Sequence, residues 1–218
     1  MDEPRGNVSL TAVAVAILAA GGAYLIGATH DFSKGRIAAN QRARLTASLN
    51  SVLDPSIRSH DLRTVRLTAT DRTLLGRAEP VDVFVAFDAG QPVAAIFAAT
   101  APDGYNAPIN LLIGMSSSAT LTGVRPVSHR ETAGLGDRME PGKSDWILRF
   151  DGASLDRPPR ERWAVDKDDG DFDSLSGATI TSRAVVKAVK NTLLYFEQHR
   201  DELFRDAAAR AADDANAD

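Results

Sequence analysis

The chain has 218 residues, 44% hydrophobic and 25% charged, with a formal net charge of −4. That balance suits one folded domain with appendages and leaves no electrostatic footprint for nucleic acid, so no nucleic-acid partner is expected. There is no cysteine, which excludes iron–sulfur clusters, thiolate zinc sites, disulfides and cysteine nucleophiles.

Val8 to Thr29 is an uncharged run of 22 residues, VSLTAVAVAILAAGGAYLIGAT. As a helix it would be roughly 33 Å long, enough to cross a hydrocarbon core of about 30 Å. The rival readings are a signal peptide and a buried core helix; the run is longer than the apolar core of a signal peptide, about 7–15 residues, and no cysteine follows it for lipid attachment. It is expected to be an uncleaved membrane anchor in contact with lipid. Ala19, Ala23 and Gly27 recur every four residues and form either a stripe for close helix approach or simply a weakly hydrophobic anchor. Only Arg5 precedes the run, while Lys34, Arg36, Arg42 and Arg44 follow it. Read literally, that asymmetry leaves the following domain in the cytoplasm, but long domains translocate largely regardless of charge.

Gly35 to Leu53 carries Ile37, Leu45, Leu49 and Val52 at helical spacing and predicts a helix ended by Asp54-Pro55, either a link between anchor and domain or a simple surface helix. β-rich sequence follows. Thr64–Thr68 alternates weakly; Val81–Phe87 and Pro92–Ala99 flank the hairpin turn Asp88-Ala-Gly-Gln91; Ile109–Met115 and Leu121–Val127 predict a second pair. Trp146–Phe150 and Trp163–Val165 are short and β-like, separated by a Pro158-Pro159 loop. Arg183–Arg200 places Val185, Val186, Val189, Leu193 and Phe196 at spacings of three and four, which predicts a helix with one buried face. From Asp206 the chain is Ala/Asp/Arg-rich and is expected to fray or be disordered. The class is α+β: one N-terminal transmembrane helix and a single α+β domain. The divisions are an anchor at 1–30, a helical linker at 31–60, the domain at 61–204 and a tail at 205–218.

Four polar segments are the candidates for chemistry. Asp103-Gly-Tyr-Asn-Ala-Pro-Ile109 is a turn whose Tyr105 is able to stack on a ring or to serve as an ordinary core or surface residue. His129-Arg-Glu-Thr-Ala-Gly-Leu-Gly-Asp137 follows a strand; Gly134 and Gly136 let backbone approach a ligand, and Glu131 and Thr132 are polar and suited to face inward. It is neither a dinucleotide fingerprint nor a phosphate loop. Asp166–Asp173 is acidic but lacks calcium-loop spacing, so a solvated turn is expected. His30, His60, His129 and His199 show no ligand spacing, and no metal site is expected. The fourth segment, Asp173-Ser-Leu-Ser-Gly-Ala-Thr-Ile-Thr-Ser182, runs into the last helix. Thr181 or Ser182 is a plausible N-cap, which places Thr179 at a helix N-terminus, where unpaired N–H groups and the positive dipole end favour a phosphate. An ordinary capped turn explains the same residues.

DGYNAPI, HRETAGLGD and GDFDSLSGATITS, in that order after one anchor, resemble the FMN-binding domain family as found in the G-subunit of the bacterial Rnf (Rsx) electron transport complex. The resemblance runs from the anchor to about His199. It implies FMN esterified through its phosphate to Thr179, with Asp173, Ser176, Gly177 and Ala178 completing the attachment motif. It also implies that Tyr105, Glu131, Thr132, Gly134, Leu135 and Gly136 lie near the ring or ribityl chain. Ala133 departs from the family, which usually has proline there. The implied activity is electron relay within a translocase coupling ferredoxin/NAD electron transfer to cation movement, without turnover by this component alone and without catalytic side chains of its own. The implied partners are the other complex subunits and a flavin transferase; the implied location is the bacterial inner membrane with the domain in the periplasm. The C-subunit of the sodium-translocating NADH:quinone oxidoreductase shares the domain and the motif, and a non-redox membrane-anchored binding module with a plain helix cap is the other alternative.

Overall fold

The computed structural model describes residues 47–53 and 63–216, together with Ala12, Val13, Val15, Ala16 and Ala19, which are helical. The expected anchor and most of the expected linking helix lie outside the described residues; among those described, no helix is long and apolar enough to cross a membrane. Residues 48–218 form one compact unit.

Five strands make an antiparallel meander in the order β1-β2-β3-β4-β5. They are β1 (Arg63–Asp71), β2 (Arg77–Asp88), β3 (Gln91–Ala101), β4 (Ile109–Ser116) and β5 (Leu121–Ser128). The β2–β3 turn places Ala89 and Gly90 at φ of 48° and 76°, the twist that a two-residue hairpin needs. Both predicted strand pairs are present and antiparallel, with register shifts at Ala86/Phe87 in the first and at Asn110/Leu111 and Gly114/Met115 in the second. The domain is α+β, closed by one helix, α1 (Thr179–Asn216).

Alternate residues divide the sheet into two faces. Val83, Phe97, Ile113 and Val124 point into the main core with Val185, Val189, Leu193 and Phe196 of α1. Phe97 meets Tyr195 and Phe196 edge-on, with centroids 5.9 and 6.1 Å apart. Phe84, Ile96 and Leu112 point the other way and are covered by Leu49, Val52 and Leu53. Burying those three aliphatics is worth roughly 1.5–3 kcal/mol each. Coverage on both faces explains why Val81–Phe87 is almost continuously apolar.

Three expectations need correction. Trp146–Phe150 is a 3-10 helix, not a strand, and Val165 makes only an isolated bridge to Phe172. Their apolar side chains serve an aromatic cluster, Phe150 stacked on Phe172 at 4.8 Å and Trp163 tilted against Phe172 at 4.7 Å, and short apolar runs do not reveal which backbone delivers them. The helix does not stop near Arg200. It continues through the stretch expected to be disordered, because Ala207 is fully buried and packs with Val65, Val85 and Phe87. Small alanines suit that close approach.

Candidate functional site

A cleft of about 500 Å³ opens where three loops meet the start of α1. Tyr105 comes from the loop before β4. Glu131, Thr132, Leu135 and Gly136 come from the loop after β5. Gly177, Ala178, Thr179, Ile180 and Thr181 come from the turn into α1. Tyr105, Leu135 and Ile180 are exposed apolar side chains at its rim. Among the described residues, Glu131 is the only charged side chain in the lining.

Glu131 ties the loops together. Its carboxylate is buried, 8% exposed. One oxygen accepts the Asn106 backbone N–H at 3.1 Å, and the other accepts the Thr181 hydroxyl. Asn106 adds bonds from Nδ2 to the Arg130 carbonyl (3.0 Å) and the Thr132 hydroxyl (3.2 Å). Hydrogen bonds to a charged group contribute about 1.5–3 kcal/mol each. Gly136 makes the arrangement possible: a Cβ there would lie 2.8 Å from Glu131 Cβ and 2.9 Å from Thr181 Oγ1.

The start of α1 differs from the sequence expectation. The helix begins at Thr179, so the N-cap position is Ala178, which has no capping side chain. Thr181 and Ser182 lie inside the first turn and are buried. Thr181 bonds Glu131. Ser182 Oγ accepts the Leu175 N–H at 2.9 Å and donates to the Ala178 carbonyl at 3.1 Å. The first backbone bond runs from the Ser182 N–H to the Ala178 carbonyl. The N–H groups of Thr179, Ile180 and Thr181 therefore have no acceptor among the described residues, and the Thr179 hydroxyl makes no hydrogen bond there either. Gly177 turns the chain at φ 78°, a conformation that costs other residues about 1–2 kcal/mol.

Asp173, Ser176 and Gly134 do not line the cleft. Asp173 is ion-paired with Arg149, and its carbonyl accepts the Trp146 indole N–H at 2.6 Å. Ser176 is exposed and Gly134 has open space around it. The acidic loop is a brace rather than a merely solvated turn. Asp168 holds Arg183 of α1 through two bonds of 2.6 Å, and that guanidinium lowers its carboxyl pKa. Asp166 receives the Ser174 N–H at 2.9 Å, and its pKa is lowered chiefly by the Ser174 hydroxyl.

Behind the glycine loop lies a charged cluster. Lys143 Nζ is 2.7 Å from Asp137 and 2.8 Å from Glu140. Its hydrogen bonds hold both carboxyls below their usual range, and they raise its own pKa, Asp137 more than Glu140. His129 Nδ1 accepts the Glu131 N–H at 3.2 Å, which puts the ring proton on Nε2, 3.1 Å from Glu140. Asn106 and Ile180 were not singled out by sequence reasoning. Asn106 sits beside the chosen Tyr105, but its role depends on a partner 25 positions away.

Known proteins resemble this chain along most of its length. Residues 104–194 match the FMN-binding domain model. The chain is 37% identical over 204 residues to the G-subunit of the ion-translocating oxidoreductase complex of Shewanella oneidensis, covering 94% of this chain and 95% of that one. It is 42% identical over 200 residues to the corresponding protein of Pseudomonas aeruginosa (91% and 93%) and 39% identical over 180 residues to that of Pseudoalteromonas atlantica (83% and 84%).

Proposed function

Because this chain belongs to the family of ion-translocating oxidoreductase complex G-subunits, we propose that it is a membrane-anchored flavoprotein that carries FMN in this cleft and relays electrons within such a complex. The FMN phosphate is joined as an ester to Thr179 Oγ1. The observation that carries the reading is the state of Thr179: its hydroxyl has no partner among the described residues, and it stands on the first residue of a helix whose first three N–H groups are unpaired there.

The residues fit the group. Three N–H groups and the dipole end favour a phosphodiester anion by about 0.3–1 kcal/mol. No lysine or arginine lines the described cleft. Electrostatics alone would therefore hold a phosphate weakly, and a covalent bond supplies the retention. Tyr105, Leu135 and Ile180 offer an apolar rim for the ring, and Thr132 and Gly136 complete the lining. Glu131, with both oxygens engaged by Asn106 and Thr181, keeps the three loops at fixed separation. When bound, the flavin supplies the electron chemistry; the chain orients it and limits its motion. Asp173 and Ser176, exposed beside the cleft, suit recognition of the segment by a flavin transferase. Residues 8–29 anchor the protein in the inner membrane, and the domain lies in the periplasm beside the other subunits.

Denatured protein provides the test. A fluorescent flavin band on a denaturing gel and a mass increase on the peptide containing Thr179 are expected. Protein purified from its own host with neither would sink the reading. A C-terminal reporter active only in the cytoplasm would overturn the topology.

A further inference from the structure

The second feature built by close approach lies on the opposite face of the sheet. Gly114 and Gly123 are cross-strand partners in β4 and β5. A Cβ at Gly114 would lie 2.3 Å from the Val52 carbonyl oxygen, and one at Gly123 would lie 2.9 Å from Val52 Cα. The two bare positions form a trough, and the backbone of residue 52 lies in it. The Thr122 hydroxyl donates to the Val52 carbonyl at 2.6 Å. Leu49, Val52 and Leu53 pack beside the trough on Phe84, Ile96 and Leu112.

The same two strands carry the cleft. The Tyr105 loop enters β4 at Ile109, and the Glu131 loop leaves β5 after Ser128. Ile109 is five residues from the trough, about 17 Å along the strand. The segment that leads into the domain is thus seated on the hairpin that positions two of the three cleft loops.

We propose that residues 48–53 are a mount: with the Val52 backbone seated in the Gly114–Gly123 trough, they hold the β4–β5 hairpin and so fix the Tyr105 and Glu131 loops of the cleft in the geometry that orients the flavin. This rests on the reading that the cleft carries FMN. Released from the trough and behaving as coil, residues 48–62 would have an end-to-end spread of about 21 Å. Seating residues 48–53 removes much of that spread.

The absence of native cysteine makes a direct test simple. Nitroxides on Asn50→Cys and Arg130→Cys, both exposed positions, report the distance between mount and cleft by dipolar spectroscopy on the full chain. One narrow distance is expected. Adding Gly123→Val should broaden it. Val52→Asp, which leaves both strands intact, should do the same if the glycine variant misfolds. A broad distribution in the parent, or a narrow one in both variants, overturns the mount. Flavin fluorescence of the same samples after denaturation is read separately. Its absence from the parent would sink the flavin reading and with it the carrier role; a broad distribution with flavin present would sink the mount alone. In the assembled complex, Val52→Asp should lose electron throughput at unchanged flavin content. Full throughput with the mount released would refute the functional claim.

Discussion

Gly136→Ala tests the clasp most directly. The added Cβ would sit 2.8 Å from Glu131 Cβ, 2.9 Å from Glu131 Oε2 and 2.9 Å from Thr181 Oγ1. Glu131 Cβ is fixed to the backbone, so the conflict cannot be relieved by swinging a side-chain tip. Either the loop moves or the Glu131–Thr181 bond breaks. Losing a bond to a buried carboxylate costs about 1.5–3 kcal/mol, and overpacking costs about 1–3 kcal/mol. One displacement relieves both, so the two do not add, and about 2–3 kcal/mol is expected. For a domain of this size that lowers Tm by about 5–10 °C. Thr179 lies two residues before Thr181, so covalent flavin content should fall as well. A double-mutant cycle with Thr181→Ala separates the causes. Removing the hydroxyl removes one of the three close contacts, so the second substitution should cost less than the first, with a coupling of about 0.5–3 kcal/mol. The assays are urea or thermal unfolding and flavin fluorescence on denaturing gels. A Gly136→Ala protein with the parent's midpoint and a full flavin load would refute the clasp.

Other expectations concern separate parts of the molecule. Thr179→Ala should abolish covalent flavin while changing stability by no more than about 0.5 kcal/mol, since the hydroxyl has no partner among the described residues; flavin retained in that variant would move the attachment elsewhere. The depressed carboxyl pKa values of Asp137 and Glu140 give a stabilising contribution that is present above about pH 4 and lost as pH falls through their folded values. The raised pKa of Lys143 gives one lost only as pH rises through its folded value, above about 10.4. Lys143→Met should therefore flatten or invert the dependence of the urea midpoint on pH below about pH 5; an unchanged slope would count against the cluster. A chain starting at residue 61 should be about 5 kcal/mol less stable than one starting at residue 47, because it lacks Leu49, Val52 and Leu53; equal unfolding midpoints would show that these residues contribute nothing.

The local elements, and the turn that starts α1 at Thr179, are legible in the sequence. Alternation identifies the β2–β3 and β4–β5 pairs, helical spacing identifies α1, and the resemblance of three short motifs to the FMN-binding domain family brings Tyr105, the Glu131–Gly136 loop and Thr179 into one expected site. Each of those signals is carried by neighbours a few positions apart. What each polar group does depends on the folded chain. Thr181 has the residue type of a cap, but its hydroxyl meets Glu131, 50 positions away. Glu131 has the character of a ligand contact, but its oxygens are taken by Thr181 and Asn106. The alanine-rich tail reads as disordered because small side chains carry little hydrophobic signal, yet smallness lets Ala207 lie flush against Val65 and Val85. Gly114 and Gly123 leave bare positions in β4 and β5, and only the backbone of Val52, joined to Thr122 across 70 positions, accounts for them. Periodicity is a property of one segment and survives in the sequence; a clasp or a trough is a property of two segments, and exists only once the chain has brought them together.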